Sequence, residues 1–492
     1  MFNSISKALK TKISNIIGAE GSLREKVTKG AMWLYALEGA RRTMGVVQTI
    51  ILARLLCPED FGLVGIALIA TGTMEVFSHT GFEKALVQRK EIDNNFLNTA
   101  WTVSIIRGFV LCLLLFLVAP LIATFFKAPK SLPIIQVFAF NFLLNGLRNI
   151  GVIYFSKNLA FRKTFFWQFS TLLAGFSVTI SLAFVLRNVW AIVWGVMISR
   201  IVETVGSYFV AMYRPRIYLD FGIAKSLFGY GRWILGSNIV TFLAKQGDKL
   251  FLTKFFGVTP LGIYTMATRF VEQLTVVNSI AQRVLFPTYS GIQDDIERLR
   301  RIYLQVLSLI SLLSVPVVGG MVFLAKPFVL IFLGSKWIDS IVPMQILSLG
   351  ILIKIFTDSS ASLFNAFGKP SVTFYMVLVR ASTLFLTIIP LANKFGINGV
   401  ALSFTISCLS GIVMWLIGLY RYFNISLVEN VKAIFIPVIV TIIIAIGARY
   451  LSLYMPLDTL VQFIGIVVVS ASIYIGIVVT IYRFGKTKLF LY

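Results

Sequence analysis

Glu38, Arg41 and Arg42 stand in the middle of GAMWLYALEGARRTMG (30–45), a stretch otherwise fit to cross a bilayer. Eleven basic residues interrupt apolar stretches in this way: Arg41, Arg42, Arg107, Arg148, Arg200, Arg232, Lys245, Lys249, Arg269, Lys354 and Arg380. So do six acids: Glu38, Glu75, Glu203, Asp248, Glu272 and Asp358. Each such charge costs at least ~2.5–3.5 kcal/mol at the centre of a lipid-facing helix. These groups must therefore face one another or a polar cavity.

Local pairing accounts for part of them. Glu38 lies three and four residues before Arg41 and Arg42. Arg200–Glu203, Lys245–Asp248 and Arg269–Glu272 are spaced by three, and Lys354–Asp358 by four. Residues at those spacings share a helix face. Arg232 is near the start of its stretch and can snorkel to the surface. Pairing still leaves five more bases than acids. One of Arg41 and Arg42 has no local counter-charge, nor do Arg107, Arg148, Lys249 and Arg380. Such an excess around a water-filled cavity concentrates an anionic substrate near the bilayer midplane. Guanidinium groups suit phosphate through bidentate hydrogen bonds. Arg41, Arg42, Lys249 and Arg269 are the first choices for holding the anion. Arg107, Arg148, Arg200, Lys245, Lys354 and Arg380 form a second rank. Glu38, Glu203 and Asp248 read as local counter-charges. Glu75, Glu272 and Asp358 are the candidates for ion or proton coupling.

No other chemistry competes. The chain has no GxxxxGK[ST], GxSxG, HExxH or paired CxxC, and one histidine, His79. Neither an ATPase site nor a metal or cofactor site is expected. Cys57, Cys112 and Cys408 are too scattered for a disulfide framework. The Gly319–Gly320 pair reads as close helix packing.

The elements that must position these charges are helices. The 492 residues are 58% hydrophobic and 13% charged, the class of a polytopic membrane protein. Apolar spans run near 30–53, 61–80, 99–126, 132–155, 165–186, 189–211, 228–253, 260–282, 302–325, 343–366, 371–392, 397–419, 432–453 and 459–482. The expected fold is all-α with about 14 transmembrane helices. All eight tryptophans fall near span ends, where an interfacial ring would sit. Placing both termini in the cytoplasm puts 25 Lys/Arg on the inside and nine on the outside, which favours that orientation. Much of the net charge of +25 is then topological, and nucleic acid is not a partner.

A repeat is visible. ILARLLCPEDFGLVG (50–64) aligns with LFLTKFFGVTPLGIY (250–264) at an offset of 200, matching Arg54 to Lys254 and Gly62 to Gly262. Upstream, Trp33 meets Trp233. Later, Pro120 matches Pro327 and QVFAF (136–140) matches QILSL (345–349). Spans 1–6 and 7–12 thus form two copies of one orientation, a parallel repeat. The divisions are a basic, amphipathic segment over 1–29 with no visible cleavable signal, an N-lobe over 30–212 and a cytoplasmic linker over 213–227. A C-lobe over 228–420 and two further helices with a tail over 421–492 complete the chain.

The residues GAMWLY, ILARLLCPEDFGLVG, GFEKALVQR (81–89), VWAIVWG (189–195), YRPR (213–216), FGYGRWILGSN (228–238) and FGINGVAL (395–402) resemble the polysaccharide transporter family of the multidrug/oligosaccharidyl-lipid/polysaccharide exporter superfamily. The resemblance covers spans 1–12. It implies two six-helix lobes around a cationic lumen, in the bacterial inner membrane. It also implies a flippase carrying undecaprenyl-pyrophosphate-linked oligosaccharide units to the periplasmic leaflet by alternating access, for O-antigen, capsule or exopolysaccharide. Relatives that flip peptidoglycan precursor use arginines of the first and eighth helices, which here carry Arg41, Arg42 and Arg269. Their two extra helices help to form a groove for the lipid tail, a role that suits the charge-free spans 13 and 14. The implied partners are membrane lipids and a polysaccharide polymerase with its chain-length machinery. Two alternatives stand beside this reading: a cation-coupled drug antiporter, disfavoured by the cationic excess, and a membrane polymerase or ligase, disfavoured by the short loops.

Overall fold

Backbone groups in hydrocarbon have no water to bond, so each crossing segment must satisfy its own N–H and C=O groups as a helix. The computed structural model describes residues 21–78, 93–158, 160–222, 242–454 and 459–484. About 90% of it is helical, with no strand among the described residues. The chain runs through α1 (Gly21–Leu55), α2 (Pro58–Ser78), α3 (Asn94–Phe125), α4 (Leu132–Leu147), α5 (Phe161–Leu186) and α6 (Trp190–Val210). Then follow α7 (242–256), α8 (Val258–Glu272), α9 (Val276–Ser290), α10 (Ile296–Phe323), α11 (Ile341–Ser359), α12 (Pro370–Phe395), α13 (Ile397–Phe423), α14 (Leu427–Tyr454) and α15 (Leu460–Phe484). Among the described residues, nine helices are long and apolar enough to cross a membrane: α3, α5, α6, α10, the stretch Ser335–Ala366, α12, α13, and most of α14 and α15. The amphipathic reading of 1–20, the segments GFEKALVQR and FGYGRWILGSN, and His79 and Arg232 lie outside the described residues.

The described residues form two compact units. One draws on 1–49, 77–118 and 135–235, the other on 50–76, 119–134 and 236–492. Within the first, helices approach closely through small residues: Gly108 lies against the Phe142 carbonyl, Gly146 against that of Ser104, and Gly195 against Thr179. Residues 211–220, which include the first part of the linker, are not helical. They are pinned to the start of α3, where Asn98 Oδ1 accepts from the Arg216 N–H (2.8 Å) and Thr102 Oγ1 from the Tyr218 N–H (3.1 Å). Within the second, Leu285, Tyr289, Tyr303, Phe364, Trp415 and Phe423 form a core between α9, α10, α12 and α13. SLVE (426–429) opens α14 as a capping box, with Glu429 accepting from the Ser426 N–H (2.9 Å) and from Arg300 Nε of α10 (3.1 Å).

Two expectations need correction. Trp167, Trp337 and Trp415 are buried rather than interfacial. Each indole N–H finds an acceptor inside the protein, namely the Glu203 carbonyl (3.0 Å), the Ala53 carbonyl (2.9 Å) and the Tyr303 hydroxyl (3.2 Å). That removes the reason for the ring to stay at the water boundary. The expected outer loop between spans 302–325 and 343–366 is also not open chain. It coils through Ala325–Phe328, a π turn at Val329–Leu333 and a 3₁₀ turn at Ser335–Ser340.

Candidate anion-binding clusters

Three of the candidate acids each hold two cations. On α1, Glu38 pairs with Arg42 (2.7 Å) and Arg41 (3.8 Å). On α6, Glu203 pairs with Arg200 (2.8 Å) and, across helices, with Arg148 just past α4 (3.3 Å). On α11, Asp358 pairs with Lys354 and, across helices, with Arg380 of α12 (2.7 Å). Each trio keeps one net positive charge. In each, one cation is the more buried and its partner the more open: Arg41 is 53% exposed, Arg200 47% and Lys354 36%. The buried cation fixes the carboxylate, and the carboxylate orients the exposed cation. That arrangement leaves N–H donors for a further anion without a charge having to be newly buried. Arg41 also donates to Gln168 Oε1 of α5 (3.1 Å), which holds its fork in place.

The remaining candidates behave differently. Lys249 of α7 lies 3.7 Å from Glu272 of α8, so Glu272 serves Lys249 rather than forming the expected close pair with Arg269. Arg269 instead sits over the Phe61 ring, 5.7 Å from its centre. Asp248 is not the counter-charge of Lys245. It is buried and accepts from the Tyr264 hydroxyl (2.6 Å) and the Lys249 N–H (2.8 Å), while Lys245 is exposed. A buried phenol must find an acceptor, and that need outweighs the local i, i+3 pairing. Arg107 is half-buried on α3, and Glu75 is exposed on α2. Glu38, Arg41, Arg42, Arg107, Arg148, Arg200 and Glu203 fall in the first unit and the other described candidates in the second.

A separate apolar cavity of about 680 Å³ lies among α10, α14 and α15, lined by Val317, Gly320, Thr441, Phe463, Ser470 and Tyr474 among others. Gly319 packs against Thr441, as expected of a close-packing glycine. Gly320 opens on the cavity instead.

Residues 51–342 match the family described as "Polysaccharide biosynthesis protein". The chain belongs to this family. It is 27% identical over 387 residues to the lipopolysaccharide biosynthesis protein WzxC of Escherichia coli K12, covering 78% of each chain. It is 27% identical over 363 residues to the succinoglycan biosynthesis transport protein ExoT of Rhizobium meliloti 1021, covering 72% of each. Among solved structures, the fold is that of the lipid II flippase MurJ in an inward closed conformation. The TM-score is 0.72 at 14% identity, over 93% of this chain and 99% of that one. An inward-facing multidrug transporter of the MATE family matches with a TM-score of 0.59 at 15% identity, over 77% and 94%. The family and its helical fold therefore agree with the resemblance carried by the PEDFGL-type segments.

The cross-helix partners escaped the sequence reading. Arg148–Glu203 and Arg380–Asp358 are separated by 55 and 22 residues, and nothing local marks them. Gly411 of α13 is one signal that could have helped: its missing side chain makes room for the Arg380 guanidinium.

Proposed function

We propose that the protein is a flippase for oligosaccharide units linked through pyrophosphate to undecaprenol. It carries them from the cytoplasmic to the periplasmic leaflet for O-antigen, capsule or exopolysaccharide assembly. The observation that carries the reading is the two-to-one ratio of cation to carboxylate in the three trios. A structural ion pair needs one cation for each acid. A second, exposed one is surplus to packing and suits a diphosphate. The names of WzxC, ExoT and MurJ, covering lipopolysaccharide, succinoglycan and lipid II, support the same chemistry. In this reading about 14 helices cross the inner membrane with both termini inside, and two six-helix lobes alternate access to a cationic lumen. The apolar cavity of α10, α14 and α15 holds part of the polyprenyl chain. With the inside negative, the potential favours outward movement of an anion by about 2.3 kcal/mol per charge per 100 mV. A polymerase with its chain-length machinery would take the delivered units.

The test uses purified protein in lipid vesicles loaded with a lipid-linked oligosaccharide. The expected result is translocation to the opposite leaflet with the substrate mass unchanged. Replacing both Arg41 and Arg42 with Ala is expected to slow it at least about tenfold, the effect of one lost charge-assisted hydrogen bond or more. Full translocation by the inserted double variant sinks the assignment of the α1 trio. Chain lengthening in place of translocation sinks the flippase reading.

A further inference from the structure

Residues 211–222, which follow α6, form a strap that the first unit holds at many points. Three alternate backbone N–H groups turn toward the start of α3. That of Arg216 donates to Asn98 Oδ1 (2.8 Å), that of Tyr218 to Thr102 Oγ1 (3.1 Å) and that of Asp220 to Thr99 Oγ1 (3.2 Å). The Tyr213 hydroxyl donates to the same Asn98 Oδ1 (2.7 Å), and the Tyr213 carbonyl accepts from Asn149 Nδ2 (2.8 Å). The Tyr213 ring packs on a small core of Phe96, Leu97, Ala100, Val103 and Ile153. Arg214 serves the end of α6, where it donates to the carbonyls of Tyr208 (2.8 Å) and Ala211 (2.6 Å). Carbonyls at a helix end lack partners within the helix and attract positive charge.

What these bonds leave outside is apolar. Met212 is 92% exposed, Ile217 82% and Phe221 80%, with Tyr218 and Leu219 also exposed. The strap is held by its backbone and by Tyr213, so its own bonding gives no reason for these side chains to be apolar. Their level in the fold does. The strap runs beside the start of α3, a helix long and apolar enough to cross a membrane. That is where headgroups give way to acyl chains. A non-helical chain goes no deeper, because its backbone needs water or polar partners. Charge at this end is nearly all of one sign. Asn149, Gly151 and Tyr213 bring 149–164 against 211–222. Together these two segments carry Lys157, Arg162, Lys163, Arg214 and Arg216 against Asp220 alone. Arg162, Lys163 and Arg216 are exposed. An exposed apolar row can mark a protein partner. A cationic rim beside a membrane-entering helix fits an anionic leaflet instead, with apolar side chains in the acyl boundary and cations among the headgroups.

We propose that residues 211–222 are a membrane-surface anchor that binds anionic phospholipid. Ile217, Leu219 and Phe221 enter the acyl boundary, and Arg216 holds the phosphate-bearing headgroups, with Arg162 and Lys163 adding to the same field. The bonds to Asn98, Thr99 and Thr102 keep the apolar row turned outward, so the anchor is part of the first unit and not a loose tail. It acts on the surrounding leaflet and not on a carried substrate. It therefore stands apart from the flippase reading.

The experiment attaches an environment-sensitive nitrobenzoxadiazole label at Ile217→Cys or Phe221→Cys, in a background of Cys57→Ser, Cys112→Ser and Cys408→Ser. The full chain is placed in vesicles of phosphatidylcholine alone or of an equal mixture with phosphatidylglycerol. In the mixture the emission is expected to shift to the blue and to be quenched by lipid brominated near the top of its acyl chains. Both effects should be weaker in phosphatidylcholine alone. Arg216→Gln should lower the ratio of inserted to free label in the mixture about fivefold, the attraction of one cation near an anionic surface. Arg216→Lys should stay close to the parent. Raising the salt should act in the same direction as Arg216→Gln, because it screens that attraction. The salt series uses the labelled parent, so it remains informative if an Arg216 variant fails to fold. A water-like emission in both vesicles overturns the proposal and points to a soluble partner for the apolar row. Equal emission in the two vesicles, unmoved by salt, also overturns it, since the contact is then apolar alone. No translocation is measured, so the anchor and the flippase reading fail or stand separately.

Discussion

At the scale of the residue, the trios divide support from recognition. Arg380 and Arg148 are the more buried members, and each holds the carboxylate that orients an exposed partner. Removing a buried partner leaves an uncompensated charge, which costs about 3–5 kcal/mol in comparable buried pairs. Asp358→Asn is accordingly expected to lower the melting temperature in detergent strongly, because Lys354 and Arg380 then repel each other with no acid between them. Lys354→Gln and Arg200→Gln remove the exposed cations and should change stability by no more than about 1 kcal/mol, while reducing translocation. Melting curves and transport rates on one set of variants check both halves. A Lys354→Gln protein that transports normally would remove the α11 trio from the substrate path. The sequence showed both arms of the α1 trio and one arm of each of the other two, because residues three or four apart on a helix are neighbours by geometry. It hid the second arm of those two, because Arg148 reaching Glu203 and Arg380 reaching Asp358 depend on how α4 meets α6 and α12 meets α11.

At the scale of the element, apolar runs revealed nearly all the long helices, since hydrocarbon leaves the backbone no alternative. What they did not reveal is where a helix changes character. The span expected at 260–282 is interrupted by a 3₁₀ turn at Gln273–Thr275 and continues to Ser290. The end of α10 passes into a π turn whose carbonyls suit Arg54. Neither change has a hydropathy signal. The apolar cavity beside α10 is likewise a product of packing: Gly319 draws α14 close, while Gly320 and Ser470 leave space. Filling that space tests its use. Ser470→Trp on α15 should leave the helix inserted and the trios unaltered, and should slow transport of substrate carrying a full-length polyprenyl chain more than that of a short-chain analogue. Equal slowing of both would mean that the cavity does not hold the chain.

At the scale of the whole molecule, the bias of 25 basic residues to nine is an argument about orientation, and the chain carries its own probe. Cys112 and Cys408 are buried, whereas Cys57 is exposed in the turn between α1 and α2. With both termini inside, that turn faces outward after a single crossing. A membrane-impermeant maleimide added to intact spheroplasts should therefore label the unmodified protein at Cys57, and labelling only after lysis would invert the topology. The pH dependence gives the test a signature. Partial burial, then the hydrogen bond to Asp60 Oδ2 (3.0 Å), push the Cys57 thiol above its ordinary value. The thiolate is the reacting form, so labelling at pH 7 should be slower than that of a free thiol. It should climb about tenfold per pH unit through the range where an ordinary thiol begins to level off. Asp60→Asn removes the negative charge that holds the proton on sulfur. It should raise the rate at neutral pH while leaving the sidedness unchanged, because Asp60 acts on the thiol and the lysines and arginines set the topology.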